Sequence, residues 1–175
     1  MIKGARKLEM SALAEIYDTF SPGIYRYAAR MLSDRSLAED CVSETFDRFL
    51  RALHNGGGPN QHLQAYLYRI ASNWITDRYR DGAIDAPPTV VELQVDPSDD
   101  PEGATERALT KRRVREAMTR LSPDQRKVLD LKFIEGLNNR DVARAVGKTQ
   151  GAVKSLQNRG LRALKRILLE SEGEP

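Results

Sequence analysis

The chain has 175 residues, 40% of them hydrophobic, 30% charged and only 6% aromatic, which suits one medium domain or two small ones with modest cores. A single cysteine, Cys41, excludes an internal disulfide and any cysteine-based zinc knuckle, and fits a reducing compartment. No apolar run approaches the roughly 20 residues that span a bilayer, and MIKGARKLEM lacks the apolar stretch of a signal peptide, so a cytoplasmic protein is expected.

The net charge of +3 is unevenly spread. Residues 1–82 carry 11 basic and 10 acidic side chains, residues 83–104 carry none and 6, and residues 105–175 carry 17 and 9. A neutral block, an acidic connector and a basic block therefore follow in series. Basic blocks attract polyanions, of which nucleic acid is the commonest.

In chain order, MSALAEIYDTFSPGIYRYAARML repeats apolar residues three or four apart at Leu13, Ile16, Tyr17, Phe20, Ile24, Tyr27, Ala28 and Met31. Pro22 falls inside this run and either kinks one helix or opens a second. SLAEDCVSETFDRFLRAL follows, with Leu37, Cys41, Val42, Thr45, Phe46, Phe49 and Leu53 on one side. NGGGPN breaks the pattern, being all turn formers, and HLQAYLYRIASNWITDRYR resumes it.

DGAIDAPPTVVELQVDPSDDPEGA holds four of the eight prolines and no helical period, and it reads as an extended, mostly disordered linker. Beyond it come TERALTKRRVREAMTRL and SPDQRKVLDLKFIEGL, the latter with Ser122 to cap and Pro123 at the first helical position. No convincing strand and no internal repeat is present.

The last stretch, VARAVGKTQGAVKSLQNRGLRAL, changes character twice. A short helix can start at Asn138, with Asp141 three residues on in a capping-box arrangement and Val142, Ala143 and Val146 facing inward. Gly147 suits the left-handed residue after a helix end, and Thr149 caps a second helix. Val153, Leu156, Leu161, Leu164, Ile167 and Leu168 give that helix an apolar side. Its other faces hold Gln150, Lys154, Ser155, Gln157, Asn158, Arg159 and Arg162, the donors and acceptors that read base edges and hold phosphates in the major groove. A solvated helix ending a bundle would show the same charges. The short helix and glycine turn before it favour a helix–turn–helix.

LSPDQRKVLDLKFIEGLNNRDVARAVGKTQGAVKSLQNRGLRALKRIL, from about Leu121 to Leu168, resembles the region-four domain of bacterial sigma factors of the extracytoplasmic-function group. The resemblance implies that this part reads the −35 promoter element, with Thr149, Gln150, Lys154, Ser155, Gln157, Asn158, Arg159 and Arg162 as the candidate contacts. Gly160 stands where the family usually has alanine, a change that costs a helix about 0.5–1 kcal/mol.

The first block, from about Leu13 to Arg80, resembles the region-two domain of the same family. AEDCVSETFDRFLRAL is similar to the helix that docks on the polymerase clamp, and its polar side carries Asp40, Ser43, Glu44, Asp47 and Arg48. Cys41 and Ser43 replace a frequent leucine and glutamine. AYLYRIASNWITDRYR is similar to the segment that melts and reads the −10 element. There Leu67, Ile70, Ala71, Trp74 and Ile75 form an apolar stripe, while Tyr66, Arg69, Asn73, Asp77 and Arg80 run along another side. A ring for stacking, amide and carboxylate groups for base edges and arginines for phosphate suit single-stranded DNA. Spacing puts Trp74 with the core, although a base-stacking wedge has the same composition. Tyr66 takes the family's usual tryptophan position, Ser72 a basic one, and Asp81 adds a negative charge beside Arg80.

HNGGGPNQH has no Lys-Ser/Thr after its glycines, so it is no phosphate loop, and His54 and His62 have no third ligand for a metal. In the family this position lines the pocket for a flipped −10 base.

The expectation is an all-α chain of two small helical domains joined by a flexible acidic linker, with residues 1–82, 83–104 and 105–175 as its parts. The resemblance implies a nucleoid-associated protein with core RNA polymerase and promoter DNA as partners. It implies no catalytic residue, no metal and no cofactor. An anti-sigma factor is common in the family, though nothing in the sequence identifies one. Two other readings remain open at this level. A recombinase would need a catalytic constellation, and none is recognisable. A repressor would usually dimerise over two half-sites, with the neutral block as its dimer or ligand domain.

Overall fold

The computed structural model describes residues 1–82 and 104–172, and all regular structure among them is helical. The proposed acidic linker lies outside the described residues, apart from Ala104. α1 (Ile2–Ala5) is a single turn with no period to announce it. It buries Ala5, and Arg6 beyond it donates to the Gly57 carbonyl at 3.1 Å, which pins the N-terminus to the glycine loop.

α2 (Met10–Leu32) settles the question at Pro22. It is one helix with the proline inside, so the Asp18 carbonyl lacks its usual amide donor. Ser33 in the left-handed region ends it. Asp34 then accepts the Leu37 amide at 2.8 Å and starts α3 (Arg35–His54). After the glycine turn, α4 (Leu63–Arg80) runs back across α2 and α3.

The core of this half follows the sequence period. Ile16, Ile24, Tyr27 and Met31 of α2 meet Cys41, Phe46 and Phe49 of α3 and Leu67, Ala71 and Ile75 of α4. One buried polar pair sits among them, Tyr27 Oη to Ser72 Oγ at 2.9 Å. Both hydroxyls are thereby satisfied, and burial holds the Tyr27 phenol well above its ordinary range. Ser72 thus faces inward, 3% exposed. Trp74 is only 5% exposed and belongs to this core, with the Arg78 guanidinium 4.7 Å from its ring centre.

In the second half, α5 (Ala104–Thr119) lies on the C-terminal helix. α6 (Pro123–Leu129) begins with the capping box that Ser122 and Gln125 make reciprocally. The single helix read from SPDQRKVLDLKFIEGL does not continue unchanged. It widens into a π-helical turn (Asp130–Ile134) closed by the Glu135 amide on the Asp130 carbonyl at 3.0 Å. α7 (Asn139–Val146) and α8 (Gln150–Glu172) complete the fold.

On α8 the apolar stripe differs from expectation at one place. Leu161 is 43% exposed, whereas Val153, Leu156, Gly160 and Ile167 are buried. Those four are spaced three, four and seven apart, so the stripe passes through Gly160 and leaves its neighbour about 100° off it. Gly160 is buried because α6 crosses there. A Cβ at that position would lie 3.0 Å from Leu129 Cδ1.

The two helical domains do not stand apart. α4 packs along α7, and Val128, Leu131, Leu137, Val142, Ala145, Val153 and Leu156 join the same apolar cluster as the first-half core. Ala117, Leu121, Leu129 and Ile167 form a smaller cluster under α5. Among the described residues, no helix is long and apolar enough to cross a membrane.

Candidate nucleic-acid interface

The helix–turn–helix is built as its residues require. Asn138 Oδ1 accepts the Asp141 amide at 3.0 Å and its Nδ2 donates to the Asp141 carboxylate at 2.7 Å, which fixes the start of α7. Gly147 takes φ 66°, a conformation that disfavours any Cβ, and the Lys148 amide closes the turn on the Ala143 carbonyl at 3.0 Å. Thr149 Oγ1 accepts the Ala152 amide at 3.2 Å, so its hydroxyl is engaged in starting α8.

Buried Val153 and Leu156 then hold the first two turns of α8 against α7 and α6. That orientation sends Gln150, Lys154, Ser155, Asn158, Arg159 and Arg162 outward, all exposed and along one side. Gln157 differs, being half-buried with its Nε2 donating to Asn139 Oδ1 on α7 at 3.0 Å. This amide fastens the two helices of the motif.

The α4 residues separate into two kinds. Arg69, Asn73 and Arg80 are exposed, while Tyr66 and Asp77 are half-buried. Tyr66 stands edge-on to Phe49 at 6.2 Å. Arg80 has acidic groups on both sides, Asp77 at 3.1 Å and Asp81 at 3.8 Å, so part of its charge is balanced within the chain. On α3, Asp40, Ser43, Asp47 and Arg48 are exposed and Glu44 half-exposed along one outward face. Arg48 pairs with Glu44 at 2.6 Å and Arg51 with Asp47, one helical turn apart in each case. The tip of Leu50 emerges beside them.

A further group, not singled out in the sequence, lies where the two halves meet. Arg30 of α2 forks onto Asp130, its Nε at 2.7 Å and Nη2 at 2.8 Å from the two carboxylate oxygens, and also pairs with Glu135. Both carboxylates reach it because the π-helical turn brings residues five apart onto one side, which an ordinary α-turn does not. Tyr68 of α4 donates its hydroxyl to the other oxygen of Glu135. Arg126 donates to the Arg30 carbonyl and Lys127 to the Thr76 hydroxyl.

The Arg30 and Asp130 side chains are 14% and 2% exposed. Burial opposes the charge on Arg30, but the two carboxylates outweigh it and hold the guanidinium more firmly protonated than usual. Lys127 makes no ion pair among the described residues, and burial, outweighing the attraction of Asp124, lowers its pKa. One sequence signal could have found this cluster. Asp130 interrupts the apolar run VLDLKFI on the side that should face a core, and a buried carboxylate needs a cation.

His62 also crosses the seam, with Nδ1 3.2 Å from Asp141 Oδ1. Arg69 lies alongside the turn, its Nη2 4.0 Å from where a Cβ on Gly147 would be. The two candidate DNA-reading elements are therefore neighbours in this arrangement.

Residues 16–83 match the profile of Sigma-70 region 2, and residues 111–164 match that of Sigma-70, region 4. Over 172 residues the chain is 32% identical to the ECF RNA polymerase sigma factor BldN of Streptomyces coelicolor, covering 96% of this chain and 64% of that protein. It therefore spans a little under two thirds of that relative's length. It is 29% identical over 173 residues to the ECF RNA polymerase sigma factor SigL of Mycobacterium tuberculosis, covering 97% and 96% of the two chains. Among solved structures, CnrH in complex with the cytosolic domain of CnrY has the same fold, with a TM-score of 0.72 at 20% identity over 95% of this chain and 93% of that one. The sigma factor RpoE of Bartonella quintana, in complex with the anti-sigma factor NepR, gives 0.67 at 20% identity over 94% and 97%. The chain belongs to the extracytoplasmic-function sigma factors of bacterial RNA polymerase.

Proposed function

We propose that this chain binds core RNA polymerase and gives it promoter specificity. In this reading, α8 reads the −35 element and α4 reads the −10 element and helps to melt it. The observation that carries the reading is the outward row Lys154, Ser155, Asn158, Arg159 and Arg162, set on a second helix immediately after the Gly147 turn. A helix held this way enters a major groove with its N-terminal residues at the base edges. Lys154 is then the base reader and Arg162, two turns on, the phosphate contact. Gln157 reaches a base only by leaving Asn139.

On α4, exposed Arg69, Asn73 and Arg80 are the −10 contacts, with Tyr66 and Asp77 half-available beside them. The α3 face of Asp40, Ser43, Glu44, Asp47 and Arg48 is the polymerase-docking surface. The work is recognition and strand separation, so the protein is read as a non-enzyme that needs no cofactor. It acts in the cytoplasm, at the nucleoid. An anti-sigma factor belongs among its partners in this reading, since a protein of the same fold, RpoE, was solved in complex with the anti-sigma factor NepR.

The test is transcription from a promoter library with purified core polymerase, with and without the chain. Specific start sites that depend on the chain are expected. Tight operator binding by the chain alone at physiological salt, with a two-fold footprint, would favour a repressor instead.

A further inference from the structure

On α8, the chemistry of Gln157 and its placement disagree. A helix advances about 100° per residue, so Gln157 lies about 60° around α8 from Lys154 and about 40° from Val153. It therefore sits on the border between the reading row and the packed stripe, half-buried where Lys154 and Asn158 are exposed and Val153 is buried. A primary amide recognises adenine by donating to N7 while accepting from the N6 amino group. That contact needs both ends of the amide turned to the groove. Here one end is turned the other way, because Nε2 donates to Asn139 Oδ1 at 3.0 Å. Asn139 is the first residue of α7. The Asn138 cap fixes that end of the helix, and buried Val142 and Ala143 fix its inner side. The acceptor is thus built into the first helix of the motif.

We propose that Asn139 determines specificity in the −35 reader as a positioning residue, by holding the Gln157 amide against α7 and so suppressing an adenine preference that α8 otherwise has. This rests on the reading of α8 as the −35 helix. Lys154 lies one turn before Gln157, and side chains three apart on a helix are neighbours. A lysine takes the O6 and N7 acceptors of guanine, and a released Gln157 amide falls beside it, at an adjacent base pair. With Asn139 in place the row selects through Lys154 and leaves that adjacent position tolerant. Without Asn139 the same helix reads one more base.

The experiment uses the full chain bound to core polymerase, on promoter DNA randomised across the −35 element, with the bound fraction sequenced. Asn139→Ala should raise the preference for adenine at a single position by about fivefold or more and keep the preferences elsewhere. Adding Gln157→Ala should abolish that gain. Asn139→Asp keeps the Oδ1 acceptor, so it should retain the wild-type preferences while its charge weakens all sequences alike. A folding defect cannot imitate the expected result, since it lowers binding to every sequence together and creates no new preference at one position.

An unchanged set of preferences in Asn139→Ala overturns the proposal. A loss of preference at one position also overturns it, because Asn139 would then be a support that aims Gln157 at a base. A gain that survives Gln157→Ala overturns the route through that side chain. If the wild-type chain with polymerase selects no base anywhere in the −35 element, the reading of α8 itself fails.

Discussion

Gly160 offers a test in which two opposing effects have similar size. A Cβ there would lie 3.0 Å from Leu129 Cδ1, 3.3 Å from its Cγ and 3.4 Å from Gln125 Cβ. Alanine in place of glycine inside a helix gains about 0.8–1.0 kcal/mol. Forcing a methyl into a filled site costs about 1–3 kcal/mol. Leu129 is buried in the smaller core cluster and Gln125 is held by the capping box, so neither neighbour gives way easily.

Gly160→Ala should therefore destabilise the chain by up to about 2 kcal/mol, or at best leave it unchanged. In a Leu129→Val background the nearest atom is gone, and the same substitution should recover most of the helix gain. The four proteins of this cycle, compared by urea denaturation, should show a coupling of about 1 kcal/mol or more. If Gly160→Ala stabilises both backgrounds by the full ~1 kcal/mol, the crossing of α6 over α8 is not tight and the glycine is a weak point only.

Other substitutions probe the seam, the core and the reading face. Arg30→Met strands the buried Asp130 carboxylate and should cost about 3–5 kcal/mol in urea denaturation, whereas Arg30→Met/Asp130→Leu should recover much of it. Burial pushes the Cys41 thiol up to about 12, so maleimide should label it only on unfolding. The thiol ionises near pH 9 in the unfolded chain but only toward 12 in the folded one, so its stabilising share is intact below 9 and is lost as pH rises from 9 to 12. On α8, Lys154→Ala should cost about 1–3 kcal/mol in duplex binding and relax preference at one position. Arg162→Ala should weaken every sequence alike and reduce the salt slope by about one. Both are measured with polymerase-bound protein on a randomised −35 library.

The sequence by itself determined most of the helices, the caps at Ser122, Asn138 and Thr149, and most of the inward faces, because these depend on neighbours within a few residues. Asn138, Gly147 and Thr149 specify the turn of the reading motif through their own backbone preferences and short side-chain bonds. Cys41, Phe46, Phe49 and Trp74 reach the core through helical period alone. The outward row on α8 was legible for the same reason, being what the stripe through Val153 and Leu156 leaves over.

The tertiary structure decided what depends on residues far apart in the chain. Arg30 and Asp130 are 100 positions apart, and no periodicity links a surface-type arginine on α2 to a carboxylate beyond α6. The π-helical turn presents Asp130 and Glu135 together to a cation on a distant helix, a partnership that local spacing does not reveal. Gly160 looked like a weak point along its own helix and is a contact point once α6 crosses it. Gln157 looked free beside Lys154 until Asn139 came within 3.0 Å. Local preference fixes a residue's backbone and the side of its helix. Which charge it meets, and how close another helix comes, depends on packing between elements.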